Sequence, residues 1–254
     1  GSVWAQCDSI YTTFVLLSLY LLLKEKYSLS FLSLGIAFSF KLQFIFILPL
    51  FIILYFVNKK FKIWNFLLIP LGNIIMCTPV LLMGMPLINC FTTYLDQTTN
   101  YSVYLTRNLA NIFTILPNEK IIGYIFFIIT GLIFLGLLIY FIKRKKEITK
   151  EEMVSISLLG ILIAVYFLPF MHERYMFMAD IISVIWYFIY RKKIYIPIII
   201  NLTSLAGYSV YLFGMDYIPL WVFSLLMLIA IIALLLDIIN IKIPYPFIKK
   251  KNSV

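Results

Sequence analysis

The chain has 254 residues, of which 63% are hydrophobic and 13% charged, with a formal net charge of +10 and a mean hydropathy of +1.01. A soluble domain of this length has no interior large enough for that much apolar surface, so the composition predicts an all-α polytopic membrane protein. The excess positive charge does not point to nucleic acid, because the basic residues sit in short clusters between apolar runs, as membrane topology signals do.

Nine apolar segments follow in order at 9–23, 28–40, 44–57, 64–83, 121–142, 153–170, 176–190, 195–213 and 218–239. They are read as about nine transmembrane helices in a single domain covering 1–254. Several are shorter than the ~20 residues that a straight spanning helix needs. The second and third are the shortest pair and meet at Lys41-Leu42-Gln43, as expected of broken or partly buried helices. Pro49 is expected to kink the third segment, and Pro169 to disturb the sixth. The loop at 84–120 is far longer than a connector between adjacent helices. It carries Tyr94, Tyr101, Tyr104 and Phe113 among polar residues and is expected to lie on the membrane surface. Cys7, Cys77 and Cys90 form neither a disulfide framework nor a zinc spacing, so no metal is assigned and metal dependence stays open.

If the nine segments alternate across the membrane, seventeen of the twenty-one basic residues fall on one side: Lys24, Lys26, Lys59, Lys60, Lys62, those at 143–146, Lys150, those at 191–193, Lys242 and those at 249–251. The positive-inside rule makes that side cytoplasmic, with the N-terminus outside and the C-terminus inside. Lys41, Arg107, Lys120 and Arg174 then lie outside, together with Gln6, Asp8, Gln43 and the long loop. The polar residues that topology does not need thus converge on the extracytoplasmic face.

The most informative stretch is Met171-His172-Glu173-Arg174-Tyr175-Met176-Phe177, with Asp180 close behind. It holds the chain's one histidine, between an acid-arginine pair and a long apolar run. Ionisable groups at a membrane helix end are expensive, which makes them functional candidates. An arginine fork suits phosphate, and histidine can donate to phosphate or shuttle a proton. On a continuous helix Glu173 and Asp180, seven apart, share nearly one face; Glu173 then orients its neighbours and Asp180 needs a partner. The plain structural alternative is a charged interfacial turn with a snorkelling arginine. Trp4, Asp8 and Thr12 share a helical face, and Asp8 is either an N-cap or a site residue. Lys41 either snorkels or supplies a point charge for phosphate. The chain has no Gly-rich phosphate loop and no G-x-S-x-G elbow, so energy must arrive in the substrate or from an ion gradient.

Four motifs carry a family likeness. Trp4-Ala5-Gln6-Cys7-Asp8-Ser9-Ile10-Tyr11 resembles the W-G-Q-x-D-S-I-Y element of polytopic GT-C glycosyltransferases, above all bacterial mannosyltransferases related to the second mannosyltransferase of GPI-anchor synthesis. Phe40-Lys41-Leu42-Gln43 with Pro49 resembles their F-K-x-Q…P segment. Asn108-Leu109-Ala110-Asn111-Ile112-Phe113 is similar to N-A-P-N-x-W. Pro169-Phe170-Met171-His172-Glu173-Arg174-Tyr175 with Ala179-Asp180 matches P-F-x-H-E-R-Y…A-D, the most specific of the four. Ala5 replaces the usual glycine and Leu109-Ala110 replaces Ala-Pro.

The resemblance implies an integral protein of the bacterial cell membrane that needs no cofactor. It would transfer a hexose, mannose first, from a polyprenyl-phosphate-linked donor to a glycan, lipid or protein acceptor on the outer face. His172, Arg174 and Lys41 would hold the donor phosphate; Glu173 and Asp180 would orient them; Gln6, Asp8, Gln43, Asn108 and Asn111 would line the site. GT-C enzymes are expected to carry their catalytic acidic residue in the first extracytoplasmic loop. The resemblance therefore implies a C-terminal fragment whose general base lies upstream of Gly1, and no catalytic residue is assigned here. Two other readings stay open: a transporter or lipid flippase using His172, Glu173 and Arg174 as a relay, and a non-catalytic membrane remnant. Transporters place their sites near the bilayer midplane, whereas the polar groups here collect at one face.

Overall fold

Long apolar runs leave each backbone N–H and C=O no partner except its own segment, and helix is the structure that satisfies them. The computed structural model describes residues 7–93, 104–191 and 193–239, and these are mostly helical, with almost no strand. Among the described residues nine α-helices have ten residues or more: α1 (Asp8–Leu23), α2 (Tyr27–Phe40), α3 (Leu48–Val57), α4 (Leu68–Leu82), α5 (Lys120–Arg144), α6 (Lys150–Phe167), α7 (Phe177–Tyr190), α8 (Tyr195–Phe213) and α9 (Leu220–Ile238). Two short strands, β1 (Thr106–Arg107) and β2 (Met171–His172), pair in parallel.

Each predicted segment falls on one of these helices, with several ends set differently. The third segment opens with a 3₁₀ turn at Leu42–Ile47, and α3 begins only at Leu48. Pro49 sits in the first turn of α3, where its missing N–H has no intrahelical partner to lose, so it starts the helix instead of kinking one. The sixth segment stops at Phe167; Leu168 is extended, as the residue before a proline prefers.

Among the described residues four helices are long and apolar enough to cross a membrane: Ile63–Leu82, Lys120–Arg144, Tyr195–Phe213 and Leu220–Ile238. The helices Asp8–Leu23, Tyr27–Phe40 and Leu42–Val57 are apolar but shorter. Helix α5 turns Ile121, Tyr124, Ile125, Phe127, Ile128, Leu132 and Leu135 outward, an apolar surface suited to lipid. Helix α6 is its opposite. Every residue from Met153 to Tyr166 is buried, and the helix packs against α1, α3, α5, α7 and α9. It is the central post of the molecule. A capping box between Thr149 and Glu152 fixes its start, and its other end delivers the chain to β2.

Helices α2 and α4 approach most closely at two glycines. A methyl group on Gly35 would stand 2.3 Å from the Ile69 carbonyl oxygen and 2.8 Å from Gly72 Cα, while one on Gly72 would stand 2.7 Å from the Leu32 carbonyl oxygen. Small residues that let two backbones touch replace the hydrophobic drive that lipid does not supply. By contrast, nothing lies within 4 Å of the corresponding position on Gly131 in α5. Gly35→Leu or Gly72→Leu is therefore expected to destabilise the protein by about 1–3 kcal/mol, the usual cost of overpacking. Gly131→Leu is expected to be near neutral. Thermal unfolding in detergent distinguishes them, and equal effects at all three positions would contradict the packing described.

Candidate functional site

The described residues just before α5 pack in part against the helices. Leu105, Leu109, Ala110 and Phe113 are buried, and Phe113 packs edge-on against Phe126 with ring centroids 5.2 Å apart. The expectation for Phe113 is thus corrected: its apolar ring serves the core. Tyr94 and Tyr101 lie outside the described residues. Asn111 is 1% exposed. Its side chain accepts from Phe113 N–H at 3.2 Å and donates to the Val165 carbonyl at 3.4 Å, so it secures this segment to α6 and does not line a site.

The segment is held where α6 ends. β1 pairs with β2 so that Thr106 stands opposite Met171 and Arg107 opposite His172. Just before β2, Phe170 adopts φ +62°, an uncommon conformation for a bulky residue, and its N–H donates to the Leu105 carbonyl at 2.7 Å. That turn swings the chain from α6 into the strand. On the other side Asn108 takes φ +52°, which asparagine tolerates better than most residues. Its carbonyl presses on α8 at Gly207, where a methyl group would stand 2.4 Å from the Asn108 oxygen and 3.2 Å from Glu173 Cβ. Gly207 therefore allows both segments to close on α8.

The result is a cavity of about 610 Å³ lined by Tyr104, Thr106, Arg107, Asn108, His172, Glu173, Arg174 and Tyr211. Its size suits a small ligand or headgroup. Glu173 is 3% exposed and sits in a 3₁₀ turn (Glu173–Met176), so it is not on one continuous helix with Asp180 as anticipated. Burial raises the Glu173 carboxyl above its usual range, against the pull of its own backbone N–H and of Arg174. His172 moves the other way. Burial, then the positive charges of Arg174, Arg107 and Lys41, hold its imidazole down to about 4. At neutral pH the cavity thus presents two guanidiniums, a neutral imidazole and the Glu173 carboxyl.

Lys41, Asp8, Asp180 and Gln43, anticipated to bind phosphate, orient it or line the site, are not in the wall of this cavity. Lys41 forms an ion pair with Asp8, which is 2% exposed, and its ammonium stands 4.7 Å from the centroid of the Tyr175 ring and 5.5 Å from that of Tyr11. A lysine enclosed this way is committed to Asp8, so it acts on the cavity only at a distance, through its charge. Tyr175 in turn meets the His172 ring edge-on, with centroids 5.4 Å apart. Asp8 is therefore the counter-ion of Lys41 and not an N-cap; Cys7 occupies the cap position. Asp180 lies in the first turn of α7, where Oδ2 accepts from Ser204 Oγ at 2.7 Å and Oδ1 is shut from solvent with no hydrogen-bond partner among the described residues. Gln43 is half-buried in the 3₁₀ turn before α3 and does not line the cavity, and Gln6 lies outside the described residues. Of the anticipated set the cavity gathers His172, Glu173, Arg174 and Asn108.

Arg107 was missed as a site residue. Its one sequence signal was membership of the four basic residues off the clustered side, immediately before Asn108. Gly207 and Tyr211 gave none, since they read as ordinary members of an apolar helix. Comparison of the chain with protein-family models, with characterised proteins and with solved structures gives no match.

With one histidine in the chain, the imidazole titration can be read without assignment. In the ¹⁵N spectrum of histidine-labelled protein in micelles, the midpoint is expected near 4, and Arg107→Gln or Arg174→Gln should each raise it. The unfolded chain takes this proton near 6.5 and the folded one near 4. Stability from this group is therefore complete above pH 6.5 and is lost as pH falls toward 4. A native midpoint near 6.5 would contradict the electrostatics described.

Proposed function

We propose that this protein is, or is part of, a GT-C-type glycosyltransferase of the bacterial cell membrane. It moves a hexose, mannose first, from a polyprenyl-phosphate donor to a glycan, lipid or protein acceptor on the extracytoplasmic face. One observation carries the reading: His172 and Arg174, from the motif that most resembles this family, line one cavity with Asn108 from a second such motif, although the two motifs are far apart in the chain.

The chemistry of the wall supports it. Arg174 offers a planar fork of donors for phosphate oxygens, and neutral His172 adds one donor and one acceptor. Such preorganised donors stabilise charge developing on the leaving phosphate. Tyr104 and Tyr211, both about half exposed, give the cavity apolar ring surface beside the charged wall. The exposed apolar faces of α4 and α5 suit a bilayer, and a lipid-linked donor is delivered within one. The seventeen-to-four distribution of basic residues supports an outward-facing cavity.

Membranes containing the protein, supplied with labelled polyprenyl-phosphate hexoses and extracted acceptors, test the reading. Arg174→Ala and His172→Ala are each expected to lower transfer by about 10²-fold or more while the variants still insert. Normal turnover of the lipid-linked sugar by either variant would remove the phosphate role assigned to this wall.

A further inference from the structure

Arg107 and Arg174 reach the cavity from different segments, one from β1 and one from the turn after β2. The opposition of Arg107 to His172 in the strand pair sets both guanidiniums around the same imidazole, whose proton affinity both of them depress. Each guanidinium stays charged at any working pH. His172 adds no charge at neutral pH, so the fixed positive charge of the wall is that of two arginines.

The next step rests on the glycosyl-transfer reading. A polyprenyl-phosphate hexose is a phosphodiester with one negative charge. In transfer, the acceptor hydroxyl oxygen forms the new bond to the anomeric carbon. The bond from that carbon to the phosphate oxygen breaks, and its electron pair stays on the phosphate. The hydroxyl proton passes to a carboxylate base. What leaves is a phosphomonoester with up to two negative charges. One guanidinium offsets the donor; two offset the leaving group.

We propose that Arg107 is the second phosphate-binding residue of the cavity, and that Arg107 with Arg174 recognises a dianionic phosphomonoester in preference to a phosphodiester. A contact that strengthens as charge develops raises the rate of the chemical step more than it tightens donor binding.

The test uses a matched pair of ligands, a short-chain polyprenyl monophosphate and its methyl diester, titrated calorimetrically into the protein in nanodiscs at pH 8. The wild-type protein is expected to prefer the monophosphate by about tenfold or more, in line with charge-assisted hydrogen bonds. Arg107→Gln should bring the two ligands near parity, and Arg107→Lys should restore part of the preference. Lys120→Gln, which removes one positive charge at an exposed helix start outside the cavity, should keep it. In turnover, Arg107→Gln should lower kcat with little change in KM. A preference unchanged in Arg107→Gln, or lost equally in Lys120→Gln, overturns the proposal. Should Arg107→Gln fail to fold, the wild type decides, because no preference for the monophosphate overturns it as well. An Arg107-dependent preference without glycosyl transfer from any donor keeps the dianion site and removes the glycosyltransferase reading. Transfer without that preference does the reverse.

Discussion

The pairing of Thr106–Arg107 with Met171–His172 is the constraint on which the cavity depends. It joins two irregular segments that are far apart in the chain and sets Arg107, His172 and Arg174 around one space. Two residues of parallel strand cannot hold themselves together, since isolated strand pairs are marginal at best. The surroundings hold them. Helix α6, buried along most of its length, fixes where β2 begins; the strained turn at Phe170 bonds to Leu105; Gly207 lets Asn108 and Glu173 settle on α8. Core packing thus holds two guanidiniums and a neutral imidazole near one another against the repulsion of the two charges.

Two polar groupings result, with different physics. Asp8 and Lys41 neutralise each other out of water, with tyrosine rings on both sides of the ammonium. Such a pair gives little net stability, but breaking it would strand a buried charge. Its contact with Tyr175, which touches His172, makes it a support for the site. The cavity is the reverse case. Two guanidiniums and an imidazole share a wall with one carboxyl group among the described lining residues, Glu173, and that carboxyl is itself raised by burial. Excess positive potential in a concave, partly desolvated space favours an anionic ligand.

Much of the helical framework was legible in the sequence, because apolar runs bounded by charge and proline leave few alternatives. Burial was not. The segments that became α5 and α6 are both long and apolar, yet one turns most of its surface outward and the other is enclosed on every side. That difference depends on neighbours, and no local pattern encodes it. The site was legible where cost made it conspicuous: His172, Glu173 and Arg174 stand out because charged groups beside apolar runs are expensive. Lys41 stood out for the same reason and was misplaced, since its partner Asp8 lies on another helix. Asn111 looked like a site residue and is a cap within an irregular segment. Arg107 looked like an ordinary loop arginine, because only the strand pairing brings it to His172.

The wall around His172 is expected to bind phosphate. The most direct measurement follows the ring-nitrogen signals of that one histidine as a short-chain polyprenyl phosphate is added to the protein in nanodiscs, with the uncharged polyprenol as comparison. A saturable shift is expected with the phosphate, and no shift with the alcohol. An unmoved histidine signal at saturating polyprenyl phosphate, or the same shift with both lipids, would contradict it.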